Sequence, residues 1–181
     1  MKLNLANKLT MLRIFMIPVF MIFLLAKIPY GVSIAALIFV VAALTDTLDG
    51  YIARKRNQIT TFGKFMDPLA DKLLVSAALI SLVQMGKLSA WVVVVIISRE
   101  FTISILRAVA ASEGVVIAAS WWGKAKTITQ IVAIIIILID NFPFRYVGIP
   151  MDSIMIYAAV AATIISGIDY LRLNREIIMK E

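Results

Sequence analysis

The sequence contains no cysteine and no histidine. Without cysteine there are no structural disulfides and no thiolate chemistry. Without histidine there are no imidazole metal ligands, no Ser-His-Asp catalysis and no imidazole proton shuttle. Charged residues are also scarce, at 16% of the chain, whereas soluble domains carry about 25%. A soluble bundle, a disordered chain and a collagen-like fibre are therefore poor explanations, and carboxylates remain as the natural metal ligands.

Apolar residues are what the chain has in excess, at 62% of 181 residues and a mean hydropathy of +0.97. A transmembrane helix needs about 20 mostly apolar residues. The sequence predicts six such spans, at Leu9–Ala26, Val32–Ala53, Phe65–Met85, Ala90–Ala110, Ala125–Ile139 and Ile154–Leu171. We expect an all-α integral membrane protein with six transmembrane helices, forming a single membrane domain over residues 1–181.

The basic residues predict the orientation of these spans, because cytoplasmic loops are enriched in Lys and Arg. With the N-terminus inside, fifteen of the 18 basic residues face the cytoplasm, and only Lys27, Lys87 and Arg145 face outward. Both termini are then predicted to be cytoplasmic. The net charge of +7 favours anionic lipid head groups or a phosphate-bearing substrate over nucleic acid as the partner.

Four of the seven aspartates fall within one window of 26 residues. Asp46 and Asp49 close the second predicted span, and Asp67 and Asp71 open the third. The spacings i, i+3 and i, i+4 place each pair on one helix face. Two adjacent antiparallel helices would bring the pairs together near the cytoplasmic surface.

Carboxylates packed in a low dielectric repel one another. They can take up protons, pair with the nearby Arg54, Lys55 and Arg56, or bind hard divalent cations such as Mg²⁺ or Mn²⁺. Two such ions can clamp the attacking and leaving oxygens of a phosphoryl transfer. We favour metal binding over a salt-bridge cluster because buried ion pairs seldom recover their cost of desolvation. The small residues nearby suit helix packing or the approach of a phosphate.

From Asp46 to Asp71 the residues read D-x2-D-G-x2-A-R-x8-G-x3-D-x3-D. This pattern resembles the signature of the CDP-alcohol phosphatidyltransferase family. Every fixed position of that signature is present, at Asp46, Asp49, Gly50, Ala53, Arg54, Gly63, Asp67 and Asp71. The six-span plan is similar to the family's as well, so the resemblance covers nearly the whole chain.

The resemblance implies an enzyme that joins an acceptor hydroxyl to the lipid-linked phosphate of a CDP-activated donor and releases CMP. It implies that Asp46, Asp49, Asp67 and Asp71 hold two divalent ions, Mg²⁺ or Mn²⁺, and that Asp71 is also the general base. The cytidine diphosphate site would comprise Asp49, Gly50, Ala53, Arg54 and Gly63. It also implies a homodimer in the bacterial inner membrane, with the active site facing the cytoplasm.

Outside the signature, the segments NKLTMLRIFMIP, SREF and WGKAKT are similar to the branch of the family that uses sn-glycerol 3-phosphate. The implied donor is CDP-diacylglycerol and the implied product is phosphatidylglycerophosphate. Because the acceptor is a dianion, its pocket should be basic, and the residues we expect there are Arg107, Lys124, Lys126 and Arg99. Lys124 and Lys126 also fit an interpretation as ordinary cytoplasmic loop charges, and Arg99 also fits as the partner of Glu100.

Two alternatives stay open at this point. Within the family, the same donor serves the synthesis of cardiolipin, phosphatidylserine or phosphatidylinositol phosphate, which differ in the acceptor. From another class, intramembrane carboxylates also suit a cation or proton transporter. Transporters usually show inverted repeats and helices broken at the midplane, whereas these acids concentrate near one surface.

Overall fold

The computed structural model describes residues 5–55, 61–112, 114, 115, 117 and 120–175, without the side chains of residues 5, 6, 46–55, 61, 62, 64 and 65. This part of the chain contains no β-strand and forms six long helices. They are α1 (Leu5–Leu25), α2 (Gly31–Lys55), α3 (Thr61–Gln84), α4 (Ala90–Ser112), α5 (Trp121–Leu138) and α6 (Met151–Leu173). A short 3₁₀ helix, Phe144–Val147, precedes α6.

Each predicted span coincides with one of these helices, so the all-helical prediction is confirmed. Several helices begin earlier than their apolar runs. Helix α5 starts at Trp121 because the Ser120 hydroxyl caps it, accepting the backbone N–H of Gly123 at 3.1 Å. Three helices are long and apolar enough to cross a membrane, over Asn7–Leu25, Trp121–Leu138 and Met151–Leu173. These helices support a membrane location, while the number of spans and their orientation stay predictions.

The packing is strongest within two hairpin-like pairs, α1 with α2 and α5 with α6. Helix α3 contacts α1, α2, α4 and α5, and α4 also contacts α6. Gly31 begins α2 close against α1, since a Cβ there would lie 2.6 Å from the carbonyl oxygen of Phe23. Only glycine permits this approach. Helix α3 therefore lies between the two pairs, where a residue on it can meet several helices.

The apolar core draws side chains from all six helices. At its centre Phe20 and Phe39 have no exposed surface, and their ring centroids lie 5.8 Å apart. Large apolar side chains also point outward around the bundle, among them Phe15, Trp91, Ile105, Ile128 and Tyr157. An apolar surface of this extent is typical of a protein that faces lipid.

Most of the buried polar side chains gather in one half of the bundle, and Ser81 near the end of α3 is the exception among the described residues. The others lie toward the starts of α1 and α5 and in the second halves of α2 and α6, at Asn7, Thr10, Arg13, Thr45, Lys126, Gln130, Thr163 and Ser166. Hydrogen bonds connect this half across helices, for instance from the Gln130 side chain on α5 to the Thr163 hydroxyl on α6 at 2.9 Å. Because buried polar groups are costly unless they are paired, this concentration marks where a polar ligand is expected.

Candidate active site

Two of the predicted metal ligands, Asp67 and Asp71, lie one turn apart on α3, with Pro68 between them. The Thr10 hydroxyl on α1 donates a hydrogen bond of 2.6 Å to Oδ1 of Asp67. Thr10 has no exposed surface, and a hydrogen bond to a carboxylate is stronger than one between neutral groups. The orientation of the Asp67 carboxylate is therefore held by a residue on a different helix.

Asp71 lines two adjacent cavities. The first is the polar cavity, and its other polar lining residues are Lys72, Ser76, Glu100, Lys126, Thr127 and Gln130. The second is the apolar cavity, lined mainly by Phe39, Ala43, Leu74, Val75, Ile128 and Ile131, together with Arg13 and Thr127. The Asp71 carboxylate thus stands between a compartment suited to a charged molecule and one suited to a lipid.

Arg13 has no exposed surface and lines the apolar cavity. It follows Asn7 and Thr10 at spacings of three residues, so the three polar side chains share one face of α1. All three are buried. A buried guanidinium needs anionic or hydrogen-bonding partners, and its fork of donors matches phosphate oxygens. This face of α1 can therefore serve an anionic group that enters from the apolar cavity.

A second charged cluster connects α4, α5 and α6. The Lys126 ammonium forms an ion pair with Oε1 of Glu100, and Nη1 of Arg99 lies 3.6 Å from the same oxygen. Nη2 of Arg99 donates to the hydroxyl of Ser166 at 2.5 Å. Arg99 crosses α6 at Gly167, where a Cβ would lie 3.4 Å from Arg99 Cγ. The interpretation of Arg99 as a partner of Glu100 is thus confirmed, and Lys126 shares that partner.

Arg107 belongs to the same region. Its guanidinium lies 5.5 Å from the ring centroid of Tyr170, which is a cation–π contact, and it interacts electrostatically with Arg99 and Lys72. Lys124 is exposed and does not line the polar cavity. Of the four basic residues predicted for the acceptor, only Lys126 lines the polar cavity. Arg99 interacts electrostatically with Lys126 and with the exposed Arg107, and Lys124 lies at the surface.

The sequence reasoning missed several residues of the polar cavity. Lys72 follows Asp71 directly, and Gln130 lies four residues after Lys126 on the same face of α5. That i, i+4 spacing was a usable signal. No local pattern could have paired Glu100 with Lys126, because the two are separated by 26 residues.

For most of the remaining signature residues, the structure describes the backbone alone. The backbone of Asp46, Asp49, Gly50, Ala53 and Arg54 belongs to α2, but their side chains lie outside the described residues. Gly63 is buried in the first turn of α3. Among the described residues no three carboxylates form a group that could hold a metal ion.

The donor chemistry of the two described ligands nevertheless fits a hard divalent cation. Both carry oxygen donors only, and they lie one turn apart on α3, with Asp67 oriented by the hydroxyl of Thr10. Oxygen ligands are those that Mg²⁺ prefers.

Residues 3–165 match the family described as CDP-alcohol phosphatidyltransferase. The chain is 48% identical over 185 residues to the CDP-diacylglycerol–glycerol-3-phosphate 3-phosphatidyltransferase of Bacillus subtilis (strain 168), and the match covers 96% of each chain. It is 41% identical over 182 residues to the protein of the same name from Haemophilus influenzae, covering 97% of this chain and 95% of that one. It is also 41% identical over 175 residues to a probable phosphatidylglycerophosphate synthase of Mycobacterium tuberculosis, covering 92% and 79%.

Proposed function

The chain belongs to the CDP-alcohol phosphatidyltransferase family, and from this premise we propose that it transfers the phosphatidyl group of CDP-diacylglycerol to sn-glycerol 3-phosphate. The products are phosphatidylglycerophosphate and CMP. One observation carries the proposal on the structural side: Asp71 lines both an apolar and a polar cavity. A reaction that joins a lipid donor to a charged, water-soluble acceptor requires a catalytic residue that both substrates can reach.

In the proposed reaction, a hydroxyl of glycerol 3-phosphate attacks the phosphorus atom that carries the diacylglycerol. A new P–O bond forms there, the P–O bond to CMP breaks, and CMP leaves with the electron pair. The hydroxyl proton passes to the carboxylate of Asp71. A general base must come within about 3 Å of the proton it takes, and the position of Asp71 on both cavities suits that role.

We assign Asp46, Asp49, Asp67 and Asp71 as the residues that would hold two Mg²⁺ or Mn²⁺ ions. When bound, such ions neutralise the diphosphate and stabilise the departing phosphate. The phosphate leaving group then needs no protonation by an acid, so a chain without histidine can carry out the reaction. Support comes from the oxygen-only donor set and from the orientation of Asp67 by Thr10.

The donor would occupy the apolar cavity, with its acyl chains toward Leu74 and Ile131 and its phosphates toward Arg13. The cytidine diphosphate site would comprise Asp49, Gly50, Ala53, Arg54 and Gly63. Arg13 supports this arrangement because it is the cationic lining residue of that cavity and is fully buried.

The acceptor would occupy the polar cavity. Its phosphate would contact Lys126 and Lys72, which line this cavity, together with Arg99 and Arg107, which interact electrostatically with these lysines. Lys124, on the exposed side of α5, would attract the dianion from solution. Glu100 holds Lys126 and Arg99 near each other, which orients two cations that would otherwise repel.

We further propose that residues 1–181 form one domain that acts as a homodimer in the bacterial inner membrane. The active site would face the cytoplasm, from which the water-soluble glycerol 3-phosphate would enter. Fifteen of the 18 basic residues fall on that side in the six-span arrangement, as the positive-inside rule requires.

One observation also favours a second candidate acceptor for the same site. The cluster of Arg99, Lys126 and Arg107 suits any phosphate-bearing alcohol, including inositol phosphate. The relatives named above favour glycerol 3-phosphate. Measuring CMP release with each candidate acceptor separates the two.

A further inference from the structure

A third cavity lies at the other end of the bundle. We call it the distal cavity; its empty volume is about 890 Å³, and its walls include Val32, Ala36, Leu138, Ile139, Lys87 and Arg145. Asp71 lies thirteen residues before the end of α3 at Gln84, which is roughly 20 Å at about 1.5 Å per residue. Lys87 follows that helix end, so the distal cavity is remote from the active site and belongs to the opposite membrane surface.

The distal cavity combines an apolar wall with a charged rim. Nζ of Lys87 lies 3.1 Å from Oδ1 of Asp140, and Nη1 of Arg145 lies 3.1 Å from Oδ2. Lys87 and Arg145 carry two positive charges and Asp140 carries one negative charge, so these three residues have a net charge of +1. Nζ of Lys87 also donates to the carbonyl of Ile137 at 3.5 Å, and Nη2 of Arg145 donates to the hydroxyl of Tyr146 at 3.4 Å. Lysine carries three N–H donors and arginine five, so each side chain still retains at least one donor.

The charge of this rim is stable at neutral pH. The neighbouring Lys87, by hydrogen bond and by charge, holds the pKa of Asp140 below its usual value of 3.8. Lys87 and Arg145 are both partly accessible, with 30% and 49% of their side-chain surfaces exposed. The surplus positive charge is therefore open to a ligand from the membrane surface.

The loop that carries Asp140 is held in place by its own hydrogen bonds. Asp140 and Asn141 have φ values of 56° and 55°, in the left-handed region. The Asn141 side chain donates to the carbonyl of Ile149 at 2.7 Å and accepts from the backbone N–H of Asp152 at 3.3 Å. The rim is thus positioned before any ligand arrives.

The placement of basic residues also needs an explanation. In the six-span arrangement only three face the distal surface, Lys27, Lys87 and Arg145, and two of these line the distal cavity. One of them would suffice to neutralise Asp140, and the other carboxylate nearby, Asp152, accepts from the backbone N–H of Ser153 and does not line the cavity. The second basic residue creates a positive site where the positive-inside rule predicts few cations.

We propose that the distal cavity binds one anionic phospholipid, with the phosphodiester between Lys87 and Arg145 and an acyl chain along Val32, Ala36, Leu138 and Ile139. A phosphodiester carries one negative charge and matches the surplus positive charge of the rim. Arginine and lysine donors suit phosphate oxygens, and the apolar wall offers a surface against which an acyl chain can pack. A zwitterionic lipid adds an ammonium group, which cancels this complementarity, and a free phosphate lacks the chain that fits the wall.

The test uses the full-length protein, delipidated in detergent and titrated with dioleoyl phosphatidylglycerol while bound lipid is counted by native mass spectrometry. We compare the wild type with Lys87→Gln/Arg145→Gln and with Lys27→Gln, a control on the same surface that does not line the cavity. We expect one tightly bound lipid in the wild type and in Lys27→Gln, and at least tenfold weaker binding in the double variant. The single variant Arg145→Gln, which keeps the contact between Lys87 and Asp140, is expected to show a smaller loss.

The control ligands are dioleoyl phosphatidylcholine and inorganic phosphate. Phosphatidylcholine binding as tight as phosphatidylglycerol would overturn the proposal, as would displacement of the bound lipid by millimolar phosphate. Unchanged affinity in both Arg145→Gln and the double variant would also overturn it. Retained CMP release shows that each variant is folded, because neither Lys87 nor Arg145 belongs to the proposed active site.

Discussion

Thr10 on α1 and Asp67 on α3 are joined by a hydrogen bond of 2.6 Å, in which the buried threonine hydroxyl donates to the carboxylate. The two residues are 57 positions apart in the chain, so the bond also ties the first helix to the third. In metal sites, partners of this kind orient the ligand, and their loss costs about 10–100-fold in affinity or activity.

Replacing Thr10 by valine removes the hydroxyl while keeping the shape of the side chain. We expect Thr10→Val to weaken Mn²⁺ binding by about tenfold or more, because the Asp67 carboxylate loses its fixed orientation. Thr10→Ser keeps the donor and is expected to stay near the wild-type value. The measurement is a Mn²⁺ titration followed by electron paramagnetic resonance, with the metal dependence of CMP release as a second readout.

Thr163→Val is the matched control for this experiment. It removes an equally buried hydroxyl, one that accepts from Gln130 on α5, and should leave the Mn²⁺ affinity unchanged. Equal Mn²⁺ affinities of the wild type and Thr10→Val would show that Thr10 has no role in orienting a metal ligand.

Asp71→Asn tests the proposed general base. The amide keeps the size of the side chain but cannot accept the acceptor proton, so we expect kcat to fall by about 10²-fold or more while the helical content by circular dichroism is unchanged. Asp152→Asn, in the first turn of α6 and outside the lining of both cavities, serves as the control. Near-normal turnover in Asp71→Asn would exclude this carboxylate as the base.

Lys126→Ala and Lys124→Ala compare two lysines that lie two positions apart on α5 and differ in burial. Lys126 lines the polar cavity, whereas Lys124 is exposed. We expect Lys126→Ala to raise the KM for glycerol 3-phosphate by tenfold or more, since a hydrogen bond to a charged group contributes about 1.5–3 kcal/mol. Lys124→Ala should have a smaller effect that disappears at high salt. Equal effects of the two substitutions, or equal changes in the donor KM, would exclude Lys126 as a specific contact of the acceptor phosphate.

Asp140→Asn tests the ion pairs at the distal surface through their dependence on pH. Lys87 lowers the pKa of Asp140 below 3.8, so the folded state favours the ionised carboxylate. The resulting stability is present above the usual pKa and is lost as the pH falls through the lower, folded-state value. We expect Asp140→Asn to unfold at a lower temperature than the wild type at pH 7, and the difference to shrink below about pH 4. A difference that is constant with pH would exclude the ionised carboxylate as its source.

Much of the fold follows from local pattern. The apolar runs predict the six helices, and the signature spacing predicts that Asp67 and Asp71 share a face of α3, because both depend on helical periodicity alone. The start of α5 was missed by several residues because Ser120 caps that helix before its apolar run begins.

The tertiary partners of the site did not follow from the sequence. Glu100 on α4 forms an ion pair with Lys126 on α5, and Arg99 on α4 donates a hydrogen bond to Ser166 on α6. Both contacts depend on how the helices are arranged in the bundle. Charge and spacing alone leave Lys124 and Lys126 equivalent. The structure separates them because residues two positions apart point to different sides of a helix.

The identity of the acceptor can be tested by CMP release from radiolabelled CDP-diacylglycerol by the purified protein with Mg²⁺ or Mn²⁺. Glycerol 3-phosphate, serine and inositol phosphate are supplied in separate reactions, with a reaction lacking any acceptor as the baseline. We predict CMP release above baseline only with glycerol 3-phosphate, together with labelled phosphatidylglycerophosphate. CMP release with serine or inositol phosphate in place of glycerol 3-phosphate, or no release with any acceptor, would overturn the assignment of glycerol 3-phosphate as the acceptor.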